Sequence, residues 1–258
     1  MSTYIQNFLR FRPLLNELVA RDIKIKYRRS VLGVLWTLLN PLLMMIVLSI
    51  VFSNLFKFDV ENFPIYLLSG QVIFNFYSDA TNSSMTSILG SASLIKKVYI
   101  PKYLFVVSRI CSSSINLAAS FSALLLVMVA MRVELHYTII FSFIPVLLLI
   151  MFSMGIGLFL AAITVKFRDV MHLYSVFVTA LMYLTPVIYP MSILPSWLTV
   201  IVKANPLTNY LTMFRDVMLY NTVFSFGDLF VGILEAGISL AIGLYVFYRN
   251  QDTFILNL

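Results

Sequence analysis

The stretch VMHLYSVFVTALMYLTPVIYPMSILPSWLTVIV, residues 170–202, runs 33 residues without one Asp, Glu, Lys or Arg, yet it contains Pro186, Pro190 and Pro195. Its length exceeds the roughly 20 apolar residues that a helix needs to cross a bilayer. It cannot be one helix, because an interior proline removes a hydrogen bond and clashes with the preceding turn. Irregular backbone at membrane depth survives only where protein or a water-filled cavity satisfies its polar groups. The stretch therefore predicts a crossing from Val170 to about Tyr189, a turn at Pro190, and short helices around 192–199 beside a path through the membrane.

The rest of the chain agrees with this reading. Of its 258 residues, 60% are hydrophobic and 11% charged, against about 25% charged in soluble domains. This composition predicts an all-α membrane protein. The first apolar run begins only after Arg28 and Arg29, too far in and too long for a cleaved signal peptide. Charge-free runs mark six transmembrane helices: 30–56, 62–93 interrupted by Asp79, 110–131, 135–165, 170–189, and 229–248 interrupted by Glu235. The expected organisation is a single transmembrane domain over 1–258: an interface helix in 1–29, a six-span bundle in 30–248, and a tail in 249–258. Within the bundle, 91–102 links two spans on one side and 190–225 forms a re-entrant region on the other.

Charge gives the sidedness. Fourteen of the 18 Lys and Arg lie in 1–29, 94–109, 166–169 and the C-terminus, leaving Lys57, Arg132, Lys203 and Arg215 opposite. Basic residues accumulate on the cytoplasmic side, so both termini are expected there in a multi-pass membrane protein. The net charge of +7 is thus a topology signal, and nucleic-acid binding is not indicated.

Ahead of the first span, Ile5, Phe8, Leu9, Leu15, Leu18 and Val19 recur at helical spacing among Arg10, Arg12, Glu17, Arg21 and Asp22, with a kink expected at Pro13. Such an amphipathic helix suits either a lipid surface or a protein partner. In the second span, Asn75, Asp79, Asn82 and Thr86 share one helical face beside a stripe of Tyr66, Gly70, Phe74, Tyr77 and Thr81. Polar groups at membrane depth face other helices or water, so Asp79 is either a helix-packing contact or part of a pathway. Ser153, Gly157 and Ala161, and Ser239 with Gly243, have the spacing that lets helices approach closely. The pair Gly155 and Gly157 is expected on that same packing surface, and Glu235 on one face with Ser239.

Catalytic patterns are missing. His136 and His172 have no partner at metal-ligand spacing, and Cys111 at the start of an apolar run reads as a small buried hydrophobe. A G-x-x-x-x-G-K-S/T loop is also missing, so any ATP that drives this chain is bound and hydrolysed elsewhere. The link SASLIKKVYIPKYLF, residues 91–105, offers a short helix with Leu94, Ile95, Val98 and Tyr99 beside Lys96 and Lys97, ended by Pro101. It suits an ATPase partner or anionic lipid head groups.

Four stretches, RDIKIKYRRSVLGVLWTLLNPLL (21–43), SLIKKVYIPKYLFVVS (93–108), KFRDV (166–170) and LTPVIYPMSILPSW with NPLTNYLTMFR (184–215), resemble one family. It is the permease subunits of ATP-binding-cassette exporters for polysaccharides and polyol phosphates, which include exporters of O-antigen, teichoic acid and capsule. The resemblance implies a homodimer that forms a channel for a lipid-linked glycan. Two separate nucleotide-binding subunits would bind ATP and Mg, and this chain would hold no cofactor or metal. It also implies that residues 94–100 (Leu94, Ile95, Lys96, Lys97, Val98, Tyr99, Ile100) form the coupling helix and that Arg21 and Asp22 belong to the interface helix.

Aromatic rings stack on sugar faces while tolerating water, which makes Trp36, Phe74, Tyr77, Tyr183 and Tyr189, with Asp79, the expected channel lining. A drug or another lipid as cargo would use the same architecture. A membrane-embedded glycosyl- or acyltransferase would need clustered acids, whereas Asp79 and Glu235 stand apart in the sequence.

Overall fold

In the computed structural model, residues 2–28, 30–55 and 62–257 are described, and among them no strand occurs. Phe56 and Lys57 lie outside the described residues, as do the side chains of Ile5, Phe8 and Leu9. The chain opens with α1 (Ser2–Lys26), which continues through Pro13 without a break in the helix. A 3-10 turn at Gly33–Leu35 leads to α2 (Trp36–Leu55), and then α3 (Phe63–Met85) begins with Pro64 in its first turn. There the amide that proline lacks would have had no helical partner.

The second apolar run does not continue as one helix to Ser93. It stops at Met85 and breaks into α4 (Ser87–Gly90) and α5 (Ala92–Ile95). Beyond these lie α6 (Tyr103–Ala130) and, after a 3-10 turn at Tyr137–Ser142, α7 (Phe143–Lys166). Helix α6 starts seven residues before the expected span at Ile110 and takes Arg109 into the helix.

The decisive stretch breaks earlier than expected. Helix α8 (Val170–Tyr183) ends before Pro186, not at Pro190. The residue before a proline is pushed out of helical geometry, and here that residue, Thr185, returns its hydroxyl to the Leu181 carbonyl at 2.7 Å. After a 3-10 turn at Met191–Ile193 come α9 (Ser196–Lys203) and α10 (Pro206–Met218). One side chain closes two ends: Asn205 caps α10 by accepting from the Leu207 amide at 3.1 Å. Its amide also donates to the Thr185 hydroxyl at 2.9 Å and the Leu184 carbonyl at 3.3 Å. The chain finishes with α11 (Phe226–Asn250), a 3-10 turn and α12 (Phe254–Asn257).

Three helical segments, Tyr103–Ala130, Tyr137–Lys166 and Phe226–Leu256, are long and apolar enough to cross a membrane. The described part of α2 and all of α8 are shorter apolar helices. Helix α3 is too polar to stand alone in lipid and is buried along nearly its whole length, so it forms the axis against which α2, α6, α7 and α10 pack.

Helices α7 and α11 touch backbone to backbone: a Cβ added to Gly243 would lie 2.1 Å from the Gly155 carbonyl oxygen, and the Ser239 hydroxyl donates to the Phe152 carbonyl at 3.0 Å. Gly157 does not share that surface, because two residues along a helix turn about 200°. It faces α3 instead, where a Cβ would meet Ser84 at 2.8 Å.

A second apolar cluster gathers Leu18, Ile88, Ile95, Ile100, Leu104, Val165, Phe247 and Phe254. It brings α1, the 91–102 link, the end of α7 and the C-terminal turn to one end of the molecule. The residues after 248 are not a free tail: Phe254 is buried, and Lys102 donates to the Gln251 carbonyl and lies over the Phe254 ring.

Candidate functional site

The last turn of α1, the start of α2 and the middle of α3 and α6 line an open cavity of about 330 Å³. Its lining mixes polar side chains, Lys26, Thr37, Asn40, Asn75, Asp79, Asn116 and Ser120, with the apolar Trp36, Pro41, Val72, Phe76 and Leu117. Lys26 donates to both Asp79 carboxylate oxygens, at 3.1 and 3.3 Å, and Ser113 and Asn116 donate to Oδ2 at 2.8 and 3.3 Å. Tyr27 donates to Asn116 at 3.3 Å. Burial, and after it the negative charge of Asp79, raises the Tyr27 pKa above its usual value, so the hydroxyl stays a donor. Asp79 is thus both a helix-packing contact and a cavity wall.

The expected channel residues separate into three places. Trp36 and Asp79 meet at this cavity. Phe74 and Tyr77 are core residues within the single chain, 4% and 2% exposed, where the Tyr174 hydroxyl donates to the Thr81 hydroxyl at 2.6 Å and meets the Tyr77 hydroxyl at 3.3 Å. Buried this way on the central helix, they line no open surface. Tyr183 is 66% exposed at the far end of α8, and the half-buried Tyr189 donates to its carbonyl at 2.6 Å.

The coupling segment also differs from expectation. Its helix ends at Ile95 and residues 96–100 are non-helical, with Pro101 disfavouring helical geometry at Ile100, the residue before it. The apolar face predicted for 94–100 is therefore split. Ile95 and Ile100 sink into the second cluster with Leu94 against it, while Lys96, Lys97, Val98 and Tyr99 stand out, Tyr99 at 93% exposure. Asp22 is no surface residue either: it is buried, pairs with Arg21 at 2.9 Å and with Arg109 of α6 at 3.3 Å, and so fastens α1 to the bundle.

At the opposite end, Arg215 was counted by charge as a loop residue, but it is 4% exposed. Its guanidinium donates to the carbonyls of Pro186 at 2.7 Å, Tyr66 at 3.0 Å and Val187 at 3.2 Å, and to the Ser69 hydroxyl at 3.2 Å. It also lies 3.5 Å from the centre of the Tyr66 ring. Tyr66 adds a bond from its hydroxyl to the Tyr189 carbonyl at 3.0 Å. These groups satisfy carbonyls of the non-helical stretch around Pro186 that are buried away from water. Gly70 lets them close, since a Cβ there would meet Arg215 Nη2 at 2.8 Å and Val187 backbone at 3.0 Å. A sequence signal for Arg215 exists: Leu207, Leu211, Phe214, Arg215 and Met218 follow the spacing of one helix face.

The same break, cap and arginine lie inside the segment that matches a known family, described as ABC-2 type transporter, over residues 13–219. The chain belongs to the ABC-2 type transporter family. Among curated relatives of this ABC-2 chain are an O-antigen export system permease protein of Myxococcus xanthus, 28% identical over 84% of both chains, and one of Klebsiella pneumoniae, 23% identical over 93% of both. A capsule polysaccharide export inner-membrane protein of Neisseria meningitidis serogroup A is 22% identical over 96% of this chain and 95% of its own.

Proposed function

We propose that this chain is the membrane subunit of an ATP-binding-cassette exporter that carries a lipid-linked polysaccharide or polyol-phosphate polymer across the bacterial inner membrane. The observation that carries the reading is similarity to O-antigen and capsule export permeases over nearly the whole of both chains. In this reading α2, α3, α6, α7, α8 and α11 are the six crossings, both termini are cytoplasmic, and 190–225 forms the outer re-entrant region. Two copies make the channel, and two separate ATPase subunits bind ATP and Mg.

Lys96, Lys97, Val98 and Tyr99, which stand clear of the core, form the surface that an ATPase grips, with Arg21 and the exposed side of α1 beside it. Ile95 and Ile100 hold that surface in place from behind. Closure of the ATPase pair around ATP then moves the link and α1 together, since both are packed into one apolar cluster. The shift requires the ATPase to bind one permease state more tightly than the other.

The test is Tyr99→Asp in cells that carry the partner ATPase. Surface glycan should fall at least tenfold while the chain still extracts as a monodisperse, folded protein. Normal surface glycan in that variant would remove Tyr99 from the coupling surface, and normal surface glycan after deletion of the gene would overturn the exporter reading.

A further inference from the structure

We infer that the cavity between α2, α3 and α6 is a docking site for a single pyranose ring. This deepens the exporter reading and rests on it only for the source of the sugar. At about 330 Å³ the cavity sits at the small end of ligand pockets, which run from about 300 to 1,000 Å³, so it suits one ring and not a folded oligomer.

Its chemistry selects among ligands. The side chains of Asn40 and Asn75 are exposed on the cavity wall and, among the described residues, hydrogen-bond to no other side chain or backbone group. An amide offers two donor hydrogens and an acceptor oxygen, and a sugar hydroxyl is likewise both donor and acceptor. Asn116 and Ser120 extend the same neutral, two-sided surface. Trp36, 44% exposed, brings an indole to the wall. Its flat apolar face suits the C–H face of a pyranose while its N–H can donate to a hydroxyl.

Charge excludes the competing ligands. Asp79 and Lys26 neutralise each other at 3.1 Å. A phosphate would therefore meet a carboxylate, and a free cation would have to displace an ammonium that the chain itself supplies. An apolar chain would strip water from Asn40 and Asn75 without replacing their hydrogen bonds, a cost of about 1–3 kcal/mol for each group left unmade. A neutral polyhydroxylated ring incurs none of these penalties.

The chain contains only two tryptophans, so Trp197→Phe leaves Trp36 as the sole indole reporter. The experiment uses this full chain in lipid nanodiscs, titrated with the methyl glycosides of glucose, galactose, mannose, rhamnose and N-acetylglucosamine, and in parallel with sodium pyrophosphate at matched ionic strength. At least one glycoside should shift Trp36 emission saturably, and Asn40→Leu with Asn75→Leu should weaken that response at least tenfold. Should the double variant fold poorly, Asn75→Ala alone should weaken it at least threefold.

A flat response to all five glycosides overturns the docking site. So does a response to pyrophosphate alone, which would mark an anion site, or a glycoside response that survives the asparagine variants. A flat response in a chain whose deletion still strips glycan from the cell surface sinks the docking site and leaves the exporter reading standing. Intact surface glycan after deletion sinks the exporter reading, whatever the glycosides do.

Discussion

Arg215 shows how one residue can hold an irregular stretch of buried backbone. Four of its donor contacts go to oxygens on α3 and on the 184–189 break, and among the described residues no carboxylate pairs with it. Arginine suits this role because its fork presents five donors in fixed directions, whereas lysine offers three from one point. Arg215→Met leaves the Val187 carbonyl without its donor and the Pro186 carbonyl with only the Tyr66 hydroxyl at 3.4 Å, while the Tyr66 carbonyl keeps Ser69 at 2.7 Å, at about 1–3 kcal/mol for each buried acceptor left short. We expect a loss of about 3 kcal/mol in denaturant titrations of the detergent-solubilised chain, with Arg215→Lys recovering part of it. A variant as stable as the parent would show that the break is held by its own turns. At Gly70 even Ala should destabilise, since the Val187 backbone at 3.0 Å cannot rotate away as a side chain can.

At the level of elements, the glycines of α7 and α11 make the sharpest prediction. Gly243→Ala places a methyl group 2.1 Å from a backbone oxygen, so the two helices must separate or shift in register. Fluorescence-detected size exclusion should show most of that variant lost or aggregated. Gly237→Ala on the same helix meets nothing within 4 Å and should be neutral or slightly stabilising. Equal behaviour of the two variants would contradict the seam.

On α11 the close packing was legible beforehand from Ser239 and Gly243 at four-residue spacing, whereas the glycine that α7 brings to the seam is Gly155, outside the Ser153, Gly157 and Ala161 set; the existence of each long helix was legible too. Less legible was which glycine meets which neighbour, because Gly155 and Gly157 differ in direction only once the positions of α3 and α11 are known. The end of α8 follows from Pro186, which acts on the residue before it, so the helix stops short of the proline. Pro101 restricts only Ile100 and does not account for the end of α5 at Ile95. Within the candidate site, Trp36 and Asp79 were identified by residue type, whereas Asn40, Ser113 and Asn116 come from helices whose mutual packing no local pattern specifies. Lys26 was read only as a topology charge, because its pairing with Asp79 spans 53 positions of sequence.

For the whole molecule, sidedness is the outstanding prediction. Ser196 opens α9 at one end, and Asp252 lies in the C-terminal turn at the other, both exposed. With the one native thiol removed as Cys111→Ser, a cysteine at 196 should react with a membrane-impermeant maleimide added to intact spheroplasts. A cysteine at 252 should react only after the membrane is opened. The reverse pattern would invert the orientation drawn from the basic residues.

The early end of α8 reaches further than the residues around it. Fourteen residues rise only about 21 Å, against a hydrocarbon core of about 30 Å. Leu173, Val176 and Phe177 leave its outward side apolar, so whatever lies along that side is offered a greasy wall about two thirds of a membrane tall. In the proposed exporter, lipid bordering α8 would have to thin, at a modest cost per ångström of mismatch. A hydrated cargo passing beside it would then cross a locally shallower barrier, and the acyl-chain length of the host membrane would become a setting on the rate of transport.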